Sequence, residues 1–235
     1  MIGRRRPPRA RLPKAILLDA LGTLIELQPP APLLCDELAK RFGIHMPVAQ
    51  AERAIAIEIA YYREHFDEAA NAEEVLELRR RCVLAMREEL PPEAEGVPLD
   101  ALTEALLASI TFRIFPDVGF ALGSARTRGA RLVVVSNWDV SLHDVLANAG
   151  VSPLLHGVVT SAEFGARKPD PSIFAAALKL AGVPAAKALH VGDSLEDDVA
   201  GARAAGIEAV LIRRDGSAGP PGTRTVKNLI ELVVT

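Results

Sequence analysis

Cysteine and tryptophan are nearly absent: two cysteines and one tryptophan in 235 residues. Cys35 and Cys82 fall in helical patterns without ligand-like spacing, which argues against a disulfide framework or a cysteine-held metal. A reduced, cytoplasmic protein is the simplest reading. Also missing is any apolar run of the roughly 18 residues that a membrane-spanning helix needs. No apolar signal-peptide core follows the N-terminal arginines. Charge of either sign is not in excess, because 27 basic and 30 acidic residues leave a formal net charge of −3. That balance gives no electrostatic reason to expect nucleic acid or an acidic membrane as partner. The one basic cluster, Arg4-Arg5-Arg6 with Arg9 and Arg11, is flanked by Pro7, Pro8 and Pro13. It marks residues 1–13 as a flexible, solvated arm.

What the chain has in quantity is apolar residues, 49% of the total, and they come in two grammars. Ile16-Leu17-Leu18 is a buried strand that ends in Asp19. Pro29, Pro30 and Pro32 make a stiff exit, and from Leu33 the periodicity is helical. Leu33, Leu34, Leu38 and Phe42 keep one face until Gly43 closes the helix. Ala51 to Phe66, Ala72 to Leu90 and Pro98 to Ile110 are three more helices, rich in strong helix formers. After Phe115-Pro116-Asp117 strands return. Arg131 to Ser136, Gly157 to Thr160, Ala188 to Asp193 and Ala209 to Ile212 alternate with helices closed by Gly129, Gly150, Gly182 and Gly206, and a last helix is expected over Lys227 to Leu232.

Strands alternating with helices predict an α/β fold with a parallel sheet covered on both faces. A helical stretch of roughly 80 residues after the first strand is too long for an ordinary connection. The expected division is therefore an arm (1–13), a discontinuous sheet core (14–27 and 112–235), and a helical insertion (28–111).

Four strand ends carry chemistry. The first supplies Asp19 and Thr23, the second Ser136-Asn137-Trp138-Asp139. Arg167-Lys168-Pro169-Asp170 follows the third, and Gly192-Asp193-Ser194-Leu195-Glu196-Asp197-Asp198 ends the fourth. Singly, each looks like a turn or a helix cap. Together they offer a carboxylate nucleophile, a hydroxyl and amides for an oxyanion, a fixed cation, and an acid pair able to hold a divalent metal.

The ordered set Asp19-x-x-x-Thr23, Ser136-Asn137, Lys168-Pro169 and Gly192-Asp193 through Asp198 resembles the haloacid dehalogenase-like (HAD) hydrolase superfamily, from Lys14 to Ile212. The resemblance implies a Rossmann-like core with a helical cap inserted after the first motif, and a small-molecule, phosphorylated substrate. It also implies roles. Asp19 would attack and form an aspartyl intermediate, Ser136 and Thr23 would hold the transferring group, and Lys168 would neutralise charge. Asp193, with Asp19 and the Leu21 carbonyl, would hold Mg²⁺, supported by Asp198 and Asp197.

The chain departs from the superfamily's phosphatases two positions after the nucleophile. An acid stands there in those enzymes, to protonate the leaving alkoxide and then activate water; here it is Leu21. General acid–base catalysis contributes about 100- to 10,000-fold, so ordinary phosphate esters should turn over slowly. Three activities follow. One is a Mg²⁺-dependent phosphohydrolase restricted to good leaving groups, closest to a branch with Ser-Asn-aromatic-Asp in its second motif. Another is a 2-haloacid dehalogenase, which also lacks an acid at that position but carries Ser in place of Asp193. The last is a catalytically impaired binding or regulatory protein. Arg53, which lies near where the dehalogenases place a substrate-binding arginine, is a substrate-binding candidate along with Tyr62 and Trp138.

Overall fold

A computed structural model describes residues 12–234. The expected arm lies outside them except for its last two residues, of which Leu12 packs against the core. β1 (Ala15–Leu18) leads through a tight loop into β2 (Ile25–Leu27). Four helices follow: α1 (Pro30–Phe42), α2 (Val48–His65), α3 (Ala72–Met86) and α4 (Leu99–Ser109). β3 (Phe112–Ile114) brings the chain back. Then come α5 (Val118–Thr127), β4 (Arg131–Ser136), α6 (Leu142–Asn148), β5 (Gly157–Thr160), α7 (Ser161–Phe164) and α8 (Pro171–Ala181). β6 (Ala188–Gly192) runs into a π-helical turn, Leu195–Ala200, and α9 (Gly201–Ala204). β7 (Glu208–Ile212), β8 (Thr225–Val226) and α10 (Ile230–Val233) end the described chain.

The main sheet is six-stranded and parallel, in the order β5-β4-β1-β6-β7-β8. β1 sends Ile16 and Leu18 to one face, where they meet residues of α5, α6 and α10. Ala15 and Leu17 point to the other, under α8 and α9. Period-two alternation with both faces buried is why this strand reads as an unbroken apolar run. From β1 the chain works outward to β4 and β5, and from β6 in the opposite direction to β7. The carboxyl ends of β1 and β6 therefore flank a point where strand order reverses, the place where open α/β sheets bind ligands.

The four helices of residues 30–109 form a separate apolar cluster of their own, centred on Leu34, Leu38, Leu78, Cys82, Leu102 and Leu106. Two features depart from the sequence expectation. β2 and β3 pair antiparallel as a ribbon (Ile25 with Ile114, Leu27 with Phe112) that carries the chain into and out of the helical block. Three residues are too few for a period to show. The last helix, expected over Lys227 to Leu232, is only Ile230–Val233.

Candidate active site

The loop after β1 is built on one carbonyl. Ala20 O accepts from the amides of Thr23, Leu24 and Ile25 at 3.3, 2.8 and 3.0 Å. Gly22 turns the chain with φ +76°, and a Cβ there would stand 2.2 Å from Asp193 Oδ2. Only glycine lets this loop pass against the end of β6. Asp19, whose amide donates to Val191 O at 2.9 Å, is thereby held with its carboxylate at the strand-order reversal.

Charge gathers around it. Lys168 Nζ lies 2.6 Å from Asp19 Oδ1 and 2.6 Å from Asp198 Oδ1, with all three groups buried. Ser136 Oγ, at the end of β4, donates to Asp19 Oδ1 at 3.1 Å. The Asp198 carboxylate also takes the Ser194 amide at 3.0 Å and His190 Nε2 at 2.9 Å. Burial pushes Asp19 up to about 6 against the pull of Lys168, and the charges of Asp198 and Asp193 add to the rise. For Asp198 burial is outweighed, and Lys168 and His190 hold the carboxyl well below the usual carboxylate range. Burial likewise opposes charge on Lys168, yet Asp19 and Asp198 hold its ammonium above the usual lysine range. Asp193 is raised by burial and by Asp198.

Asp19, Asp193 and Asp198 offer carboxylate oxygens all within 4.8 Å of one another. Among the described residues Asp19 and Asp198 pair with Lys168, and Arg213 acts on Asp193 from further off, so the cluster still carries an excess of negative charge that a divalent cation would neutralise. Both Asp19 Oδ2 and the Asp193 carboxylate take no side-chain donor among the described residues, whereas both oxygens of Asp198 are already hydrogen-bonded. Two available carboxylates beside a crevice suit Mg²⁺, which keeps much of its hydration and takes few protein ligands. Asp198, expected among the metal's supports, belongs to this group and also accepts from Lys168, His190 and the Ser194 amide.

A cleft of about 550 Å³ lies between this cluster and the helical block. Ser136, Lys168, Leu21, Asp193, Asp197, Asp198 and Trp138 line it. Trp138 packs its ring against Phe112 at a centroid distance of 5.3 Å. Three expected site residues stand elsewhere or do other work. Asn137 spends its amide on the backbone of Lys168, accepting from its N at 2.7 Å and donating to its O at 3.0 Å. Thr23 is fully buried outside the cleft lining, and its hydroxyl has no partner among the described residues. Arg53 is corrected outright. Its exposed side chain pairs with Glu89 at 2.8 Å, because α2 buries Ala51, Ala54, Ile55 and Glu58 and so turns Arg53 away.

From the helical block, sequence reasoning missed Glu58 and Arg79. Both sit on the apolar stripes of their helices, which is the one signal that could have found them. Arg79 reaches Glu58 Oε1 at 3.3 Å and Asp139 Oδ2 at 3.4 Å, and lies 4.1 Å over the Tyr62 ring. Tyr62, at the cleft wall, donates to Asp139 Oδ2 at 2.9 Å. Asp67 makes a second tie, accepting from Ser161 Oγ at 2.6 Å and pairing with Arg167 at 2.5 Å. The helical block is thus held onto the sheet by polar contacts at the rim of the cleft. Tyr62→Phe should lower stability by about 1 kcal/mol, the worth of one buried hydrogen bond. It should also red-shift the emission of Trp138, the sole tryptophan, as the cleft wets. A denaturant melt and a fluorescence spectrum check both.

Residues 13–206 match the haloacid dehalogenase-like hydrolase family. The chain is 32% identical over 221 residues to phosphoserine phosphatase of Thermus thermophilus, covering 86% of this chain and 89% of that protein. It is 37% identical over 123 residues to haloacid dehalogenase-like hydrolase domain-containing protein 3 of Mus musculus. That match takes in 52% of this chain and 49% of the mouse protein, about half its length. Among solved structures, 2-haloacid dehalogenase from Pseudomonas syringae pv. Tomato DC3000 is similar with a TM-score of 0.67 and 26% identity, covering 94% of this chain and 96% of that one.

Proposed function

Because this chain belongs to the haloacid dehalogenase-like hydrolases, we propose that it is a Mg²⁺-dependent phosphohydrolase acting through Asp19, with the helical block as its cap. Its substrates are small phosphate compounds whose leaving group departs without a proton. The observation that carries this reading is the Asp193 carboxylate, free of side-chain donors and grouped with Asp19. Asp19, Asp193 and the Leu21 carbonyl would hold Mg²⁺, which when bound offsets the repulsion between an anionic nucleophile and an anionic phosphate.

The chain's own groups divide the remaining work. Lys168 and Ser136 orient the Asp19 carboxylate through Oδ1, and that carboxylate attacks phosphorus as the bond to the leaving group breaks. Lys168 also keeps positive charge beside the anionic centre throughout. Water then hydrolyses the aspartyl phosphate. Leu21 faces the cleft where an acid would protonate an alkoxide, so an acyl or aryl phosphate, whose leaving anion is already stable, is the fitting class. Leu27, Ile59, Phe112 and Trp138 give the cleft an apolar wall for the body of such a compound. The same Leu21 favours the dehalogenase reading, since a halide also leaves without a proton, but that chemistry leaves Asp193 without a task.

Phosphate release from a panel that includes acetyl phosphate and p-nitrophenyl phosphate tests the proposal. We expect turnover with Mg²⁺, none with EDTA, and none in Asp19→Asn. Metal-free chloride release from 2-chloropropionate would support the dehalogenase instead. Mg²⁺ binding without either activity would leave a binding protein. Acid should weaken the metal site. Asp19 must lose its proton to act as a ligand and is pushed up to about 6. Below that pH the Mg²⁺ dissociation constant should therefore rise by about tenfold per pH unit, as for one competing proton. Calorimetric titrations at pH 5 and pH 7.5 measure it.

A further inference from the structure

Lys168 has a flexible stem and a compact ammonium, and it sits 2.6 Å from each of two carboxylates. If Asp198 moved or took the ammonium for itself, Asp19 would lose the cation that fixes its Oδ1. What holds Asp198 is therefore part of how the site works. One hold is the Ser194 amide on Oδ2. Another is shape, since a Cβ on Gly192 would come within 2.1 Å of Asp198 Cγ, so the carboxylate packs on bare backbone.

The third hold is His190. It lies fully buried in β6, between Leu189 and Val191, with Phe174 edge-on to its ring at 5.0 Å and 87°. A polar ring in an otherwise apolar strand costs desolvation that packing alone does not return. Among the described residues its Nδ1 has no partner, and its only polar contact is Nε2 to Asp198 Oδ1 at 2.9 Å. An ionised carboxylate only accepts, so Nε2 carries the proton. We propose that His190 is a positioning residue whose Nε2–H anchors Asp198 Oδ1 and, by sharing that oxygen with Lys168, keeps the ammonium on Asp19. A donor on the same oxygen draws on its charge and weakens its claim on Lys168, leaving Asp19 as the competing acceptor.

His190→Phe keeps a ring under Phe174 but removes the donor, and His190→Gln restores an N–H of similar reach. Misplacing a reacting group by 1 Å can cost about 100-fold, so His190→Phe should lower kcat about tenfold or more with KM within about twofold. His190→Gln should recover most of it. A purely structural histidine would lower the melting temperature of both variants and leave kcat per folded molecule unchanged, which would overturn the proposal. The kinetic arm rests on the phosphohydrolase reading, so two readouts are independent of turnover. Imidazole ¹H–¹⁵N correlation spectra of the wild-type protein should show the Nε2–H tautomer, perturbed by Asp198→Asn. A crystal structure of His190→Phe should show Lys168 Nζ withdrawn from Asp19 by about 1 Å. An Nδ1–H tautomer, or a Lys168–Asp19 contact unchanged without the histidine, would overturn the proposal. Absence of turnover in the wild type would remove the phosphohydrolase reading while these two readouts still decide the role of His190.

Discussion

Leu21→Asp should raise Mg²⁺-dependent hydrolysis of alkyl phosphates by about 100-fold or more, the span that general acid–base catalysis commonly supplies. The position follows Asp19 by two residues, lines the cleft, and leaves the leucine 37% exposed. More than a third of the leucine is already open to solvent, so replacing it removes less apolar burial than a core leucine would. The loop around it is fixed by backbone groups, the Ala20 carbonyl and the positive φ of Gly22, none of which the substitution touches. The gain should depend on the substrate. An alkoxide must be protonated as it leaves, whereas p-nitrophenolate departs as a stable anion, so glycerol phosphate should gain far more than p-nitrophenyl phosphate. The added carboxylate crowds Asp19 and Asp193, so the variant should also need metal more than the parent does. Steady-state rates on the two substrates, with and without Mg²⁺, check each part. Equal gains on both would place the benefit in water activation on the shared aspartyl phosphate, and no gain in a folded variant would show that a missing acid does not limit the site.

Lys168→Met should be the most damaging single change in the core. It leaves Asp19 and Asp198 buried side by side without the cation that lies 2.6 Å from each. Breaking a buried ion pair by removing one partner costs about 3–5 kcal/mol, a large share of the stability of an ordinary domain. The sign of its pH dependence follows from what remains. Once the lysine is gone, a proton on Asp19 is the nearest substitute for the lost charge, and Asp19 already protonates readily at about 6. The deficit relative to the wild type should therefore shrink as pH falls from 7.5 to 5.5. Urea denaturation of the metal-free proteins at both values measures it, and turnover should be lost at either. A variant as stable as the parent at pH 7.5 would mean that Lys168 is not what makes this cluster tolerable.

Much of the site was legible because it sits at strand ends. Asp19, Ser136, Lys168 and Asp193 could be named from the order of polar residues after apolar runs, and the cleft brings all four together. Asn137 and Thr23 were also visible, but what each side chain touches was not. The Asn137 amide is consumed by the backbone of Lys168, 31 residues away. Arg53 misled because lying near the place where the dehalogenases carry an arginine says nothing about which face of this helix turns inward. Glu58 and Arg79 were not singled out, and only their place on an apolar stripe could have marked them.

Alternation of strands and helices, glycine stops and chemistry at the strand ends are local features, and the sequence by itself determined them: a parallel α/β core, a helical insertion, and an acid at position 19 followed by a leucine where an acid was expected. Contacts across 149 residues, such as Lys168 on Asp19, depend on how the layers pack, and the tertiary structure alone decided them. Packing set Asp198 to anchor the lysine, put His190 beneath it, and seated Tyr62 and Arg79 on Asp139. A carboxylate's role follows from its neighbours, and neighbours across a sheet are fixed by topology and close packing rather than by spacing along the chain.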